Sequence, residues 1–117
     1  MANAALFIGW NRAIPGRETQ ALETFHAANQ FWTQQKAAGR IESFEQIMLQ
    51  PHAGDLNGFT FIRGDRNKLN QLKDSPEFND LLLRAYLLLE GVGVVDAHIG
   101  EGMMAFVQRW QKSIPAK

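Results

Sequence analysis

Asp96 and His98 stand two residues apart in Val94-Val95-Asp96-Ala97-His98-Ile99, a short β-branched run that reads as a strand. On a strand that spacing puts both side chains on one face. A carboxylate beside an imidazole holds its tautomer and raises its basicity, so Asp96 and His98 are the candidate catalytic pair, suited to general-base work. The same spacing could supply two metal ligands, with a third from Glu45 or His26. The more ordinary reading is two polar groups solvated at a strand end or hydrogen-bonded across a dimer. No metal is assigned.

Trp10, Asn11 and Arg12 form a second set: an aromatic surface, a neutral amide and a fixed cation, able to orient an anionic or aromatic ligand. Strand alternation sends Trp10 and Arg12 to one side and Asn11 to the other, so the three are not expected to line one pocket. Trp10 reads as a core or interface anchor, while Asn11 and Arg12 are candidate ligand-binding residues. Glu45 shares a strand face with Ile47 and Leu49. Buried there it needs a partner, an arginine being favoured; unpaired, its raised pKa would suit an acid or base. Tyr86, the sole tyrosine, adjoins an apolar helical stripe and reaches either a pocket or a boundary water. Glu45 and Tyr86 complete the candidate ligand-binding set. His26 reads as an exposed helical residue, and His52 as part of a solvated loop.

The elements that position these residues follow from periodicity. Leu6 to Arg12 is an apolar strand, stopped by Pro15-Gly16. Arg17 to Ala38 carries a helical stripe of Ala21, Leu22, Phe25, Ala28 and Trp32, with Phe31 at its edge and Gly39 to end it. Ile41 to Gln50 and Gly58 to Arg63 read as hairpin partners across a long Pro/Gly/Asp-rich connection. Neither face of Ile41 to Gln50 is cleanly polar, so both are expected to be covered. Asp65 caps a helix bearing Leu69 and Leu72, and Ser75-Pro76 opens another whose stripe is Phe78, Leu81, Leu82, Ala85, Leu88 and Leu89. Gly91 and Gly93 release the last strand, Val92 to Ile99. Met103, Phe106, Val107 and Trp110 then recur at helical spacing, and Ile114 to Lys117 form a fraying tail. A strand-helix-strand-strand-helix-strand order predicts an α+β fold, a ferredoxin-like βαββαβ sheet of four antiparallel strands with helices on one face. The expected organisation is a single domain over 1–117, with a core of about residues 5–100 and a helical extension over about 102–113.

Composition narrows the function classes. Twelve basic residues balance twelve acidic ones, without the basic excess that nucleic-acid binding usually needs, so no nucleic-acid partner is expected. With no cysteine, disulfides, thiolate zinc sites, iron–sulfur clusters and cysteine nucleophiles are excluded. Hydrophobic residues make up 45%, enough for one core. No run is long enough to span a bilayer, no basic residue precedes the first apolar run as in a signal peptide, and a soluble, cytoplasmic protein is expected. Dinucleotide, phosphate-loop, Gly-x-Ser-x-Gly and His-Glu-x-x-His patterns are absent.

In this element order, and in Gly9-Trp10-Asn11-Arg12 and Ser75-Pro76-Glu77-Phe78, the chain resembles the dimeric α/β-barrel superfamily, which includes stress-responsive and antibiotic-biosynthesis-monooxygenase-like proteins. The resemblance covers roughly residues 5 to 100. It implies two sheets packed face to face in a homodimer, helices outside, and often a ligand between a sheet and its own helices. Members include cofactor-free oxygenases, haem-degrading enzymes, muconolactone-isomerase-like enzymes and many proteins without an assigned activity. Asn11 matches the first-strand asparagine of the haem-degrading branch. That branch's histidine is replaced here by Leu81 or Leu82 and its tryptophan by Ile62 or Arg63, so haem is not expected. Two hypotheses follow. The favoured one is a non-catalytic small-molecule-binding or structural homodimer, without cofactor and without a membrane partner. The alternative is a cofactor-free monooxygenase- or isomerase-like enzyme acting on a small organic substrate in a pocket between sheet and helices.

Overall fold

The computed structural model describes residues 2–116. The first apolar run forms β1 (Ala4–Trp10). It starts and stops two residues before the run predicted from Leu6 to Arg12, because the chain leaves the ladder at Trp10. There the Asn11 N–H donates to the Glu90 carbonyl, and the Glu90 N–H to the Arg12 carbonyl, each at 2.8 Å. Helix α1 (Glu18–Ala37) has Glu18 in its first turn, where negative charge complements the helix dipole. It ends at Gly39, whose φ of 75° is the left-handed conformation that glycine adopts at little cost.

The hairpin strands are β2 (Ser43–Met48) and β3 (Gly58–Gly64). β2 is shorter than the predicted span because Ile41, 5% exposed, is buried in the core ahead of the ladder. Two short helices follow, each started as its sequence predicts. In α2 (Arg66–Lys73) the Asp65 carboxylate accepts the Lys68 N–H, and in α3 (Pro76–Leu88) the Ser75 hydroxyl accepts the Phe78 N–H, with Pro76 in the first turn. β4 (Gly93–His98) and α4 (Gly100–Ser113) complete the described elements.

The four strands form one antiparallel sheet in the order β2-β3-β1-β4. Register then decides everything about the two faces. Phe44, Ile62, Leu6 and Asp96 lie in one row across the sheet, and Gln46, Thr60, Ile8 and Val94 in the next, both facing the helices. Leu6 and Ile62 are fully buried against Leu69 and Leu72 of α2, Trp32 of α1 and Phe78 of α3. The opposite face carries the row Glu45, Phe61, Phe7 and Val95, with Ile47 and Phe59 beside it. This second face is apolar at its centre, where Phe7 stacks on Phe59 at 5.0 Å between ring centroids. Its charges form one pair, Arg63 to Glu45 at 2.9 Å, with the guanidinium also over the Phe61 ring.

Candidate functional site

The core fills only one end of the space between sheet and helices. At the other end α1 and α3 face each other with small side chains, Ala21, Thr24 and Ala28 against Ala85, over Thr60 of the sheet. Residues of this size cannot meet across the gap, and a cavity of about 370 Å³ remains. Ile8, Gln46 and Thr60 make its floor; Phe25 and Trp32 form one wall; Phe78, Leu81, Leu82, Ala85, Leu88 and Leu89 form the other. That second wall is the complete apolar stripe read in the sequence of α3. The Trp10 indole closes one end, and it fits because its cross-strand partner is Gly58, where a Cβ would lie 2.7 Å from the ring.

Polar groups are few and placed at two levels. Deep in the cavity, the Thr60 hydroxyl donates to Gln46 Oε1. At the mouth, Asn57 Nδ2 donates to Asn11 Oδ1 and, at 3.2 Å, to the Gly54 carbonyl, which fastens the β2–β3 connection over the end of β1. Among the lining residues only Arg12 and Glu18 ionise, and both are exposed. Arg12 lies 3.8 Å from Glu90 in a solvated pair.

The structure separates the residues that the sequence singled out. Trp10, Asn11 and Arg12 all line the cavity, against the strand-alternation expectation. Alternation holds only while the ladder continues, and Asn11 and Arg12 instead pair with the α3–β4 connection. Glu45 is exposed on the opposite side of the sheet, where it pairs with Arg63. Tyr86 is 47% exposed and lies outside the lining, one residue and so about 100° round the helix from Ala85.

Asp96 and His98 share the helix-side face as their spacing predicts, but lie outside the cavity lining. Asp96 Oδ1 is 2.9 Å from Lys73 Nζ and 3.0 Å from Arg66 Nη1. The lysine hydrogen bond, then Arg66, hold its carboxyl below the ordinary value near 3.8. Arg66 also donates to the Ala97 carbonyl at 2.9 Å, so the cluster ties α2 to the edge strand. The His98 ring stacks instead on Phe106 of α4, with centroids 4.3 Å apart. His26 is exposed on α1, and His52 lies in the β2–β3 connection with Nδ1 3.0 Å from the Gln50 carbonyl. The trio of Asp96, His98 and Glu45 is not assembled, since Glu45 lies on the other face and the other edge strand. No cluster of three metal-ligating side chains occurs among the described residues.

Gln46 escaped the sequence reading because a glutamine does not titrate and belongs to no motif. The available signal was its position between Phe44 and Met48 on one strand face, a lone amide in an apolar row. Helix α4 buries none of its side chains; Met103, Phe106 and Trp110 are all about half exposed or more. No helix among the described residues is long and apolar enough to cross a membrane.

No family model matches the sequence, and no curated protein resembles it closely enough to be a relative. Solved structures do resemble it. A protein of the DABB family with a ferredoxin-like fold from Mesorhizobium loti superposes with a TM-score of 0.62 at 14% identity, over 86% of this chain and 100% of that one. A dimeric ferredoxin-like protein of unknown function from Bacteroides fragilis gives 0.62 at 10% identity, over 82% and 95%. A cofactor-independent oxygenase from Streptomyces nogalater gives 0.55 at 15% identity, over 85% and 95%. At such identities the likeness speaks for fold alone: this chain has the ferredoxin-like α+β fold of those proteins.

Proposed function

We propose that the chain is a small-molecule-binding protein that works as a homodimer, taking one small, mainly apolar organic ligand per chain into the cavity between the sheet and helices α1 and α3. The observation that carries this reading is the cavity itself. An apolar space of about 370 Å³ forfeits side-chain contacts that a packed core would make. The chain nevertheless lines this space with Ala21, Ala28 and Ala85, and its volume suits one small organic molecule. The interior has the Gln46 amide and the hydroxyls of Thr24 and Thr60 but no ionisable group, which favours binding over acid–base chemistry. Asn11 and Arg12 frame the mouth through which the ligand enters.

Dimerisation rests on the second sheet face. Phe7, Phe59, Phe61, Ile47 and Val95 lie there, and the core that the chain's own helices cover is on the other side. A second copy with the same face uppermost covers it by a two-fold, self-complementary contact. The Bacteroides fragilis structure, and a Thermobifida fusca one with a TM-score of 0.60, are described as dimeric and support the reading.

Titration with the neutral fluorescent dye phenylnaphthylamine tests the binding reading. Saturable enhancement with one dye per chain is the expected result. A linear, unsaturable signal would overturn it.

A further inference from the structure

We infer that Gln46 selects the ligand: the cavity is built for an uncharged molecule carrying a hydrogen-bond acceptor, such as a ketone, ester or quinone carbonyl, seated on Gln46 Nε2. The inference rests on the cavity being a ligand site and adds what that ligand must carry.

Gln46 and Thr60 are direct cross-strand partners on β2 and β3, and both line the cavity floor. Thr60 is 4% exposed, so its hydroxyl proton must find an acceptor inside the protein, and Gln46 Oε1 takes it. With Oε1 placed against the Thr60 hydroxyl, that end of the amide is taken. The other end, Nε2, is buried from solvent and has no hydrogen-bond partner among the described residues. A buried amide donor without an acceptor is costly, and native proteins rarely leave one. The Gln46 row of the sheet continues from Thr60 into Ile8 and Val94, whose side chains carry no acceptor.

An incoming acceptor completes the pair of bonds that Thr60 begins. A hydrocarbon of the same shape leaves Nε2 unpaired, and the site discriminates against it. A carboxylate is disfavoured for a different reason. The lining's one cation, Arg12, is exposed at the mouth, so nothing at depth offsets the desolvation of a charge.

Tetralin and tetralone, one skeleton without and with a carbonyl, test this on the full chain by calorimetric titration. Tetralone is expected to bind about tenfold more tightly than tetralin, the size of one ordinary hydrogen bond. In Gln46→Leu the two are expected to bind alike. The carbonyl stretch of bound tetralone provides a readout that needs no variant, and a shift to lower frequency than in an apolar solvent is expected. Equal affinities in the unsubstituted protein, a preference that survives Gln46→Leu, or an unshifted carbonyl stretch would overturn the role of Gln46 while leaving the binding reading in place. If neither compound binds, the cavity is not a site for such ligands and both conclusions fall.

Discussion

Asn57 and Asn11 are 46 residues apart in sequence and joined side chain to side chain at the cavity mouth, the Asn57 amide donating to the Asn11 carbonyl oxygen. A second bond from the same Nδ2 reaches the Gly54 carbonyl. The loop before β3 is thereby fastened to the end of β1. Asn57→Ala removes both bonds in a half-buried setting and is expected to cost about 1–2 kcal/mol, with a looser mouth. Urea unfolding reads the first effect, and faster dye release the second. An unchanged midpoint and release rate would show that the bond fastens nothing.

Ala85 sits on the α3 wall with open space before it. Ala85→Leu is expected to fill part of the cavity, raising stability by up to about 2 kcal/mol at roughly 0.8 kcal/mol per buried methylene. Dye affinity should fall in the same variant. Stability lost and binding kept would mean that this wall is already packed.

The Asp96 cluster has a pH signature whose sign can be worked out. Lys73 and Arg66 lower the carboxyl pKa in the folded state, so the pair adds stability above the unfolded value near 3.8 and loses it as pH falls through the lower folded value. Asp96→Asn is therefore expected to be less stable than the unsubstituted protein at pH 7. The gap should narrow below about pH 4 and vanish once both forms of Asp96 are protonated. With the carboxylate 41% exposed, solvent screening keeps the effect small. A gap that persists at pH 2 would point to lost packing instead of lost charge.

How much of this was legible beforehand depended on whether a residue's role is local. Asp65 and Ser75 cap helices because their side chains reach a backbone N–H three residues on, a relationship contained in the sequence itself. The α3 stripe was equally legible and became a wall of the cavity. Alternation separates Asn11 from Trp10 and Arg12 because it presumes a continuing ladder, whereas Asn11 and Arg12 bond to Glu90, about 80 residues away in the chain. Gln46 was missed for a related reason. Its meaning comes from Thr60 opposite it and from the emptiness above it, and neither appears in a reading of one strand at a time. Asp96 and His98 drew attention through residue type, yet their neighbours, Lys73, Arg66 and Phe106, come from other elements.

Val95 separates the two-fold contact from the fold. It is 57% exposed in the single chain, so Val95→Glu should change the stability of one chain by no more than about 0.5 kcal/mol. In the proposed dimer it buries a charge beside Phe7 of its own row. Light scattering at micromolar concentration is expected to show a dimer for the unsubstituted protein and a folded monomer for the variant. A dimer unaffected by Val95→Glu would place the contact on another face.

The three tryptophans report on the cavity independently, since Trp10 and Trp32 line it while Trp110 lies on the exposed side of α4. The indole N–H resonances of labelled protein, followed during addition of tetralone, therefore locate the ligand without any substitution. Saturable shifts of the Trp10 and Trp32 signals, with Trp110 unmoved, are the expected result. Movement of Trp110 alone, or of none of the three, would contradict a ligand site between the sheet and its helices.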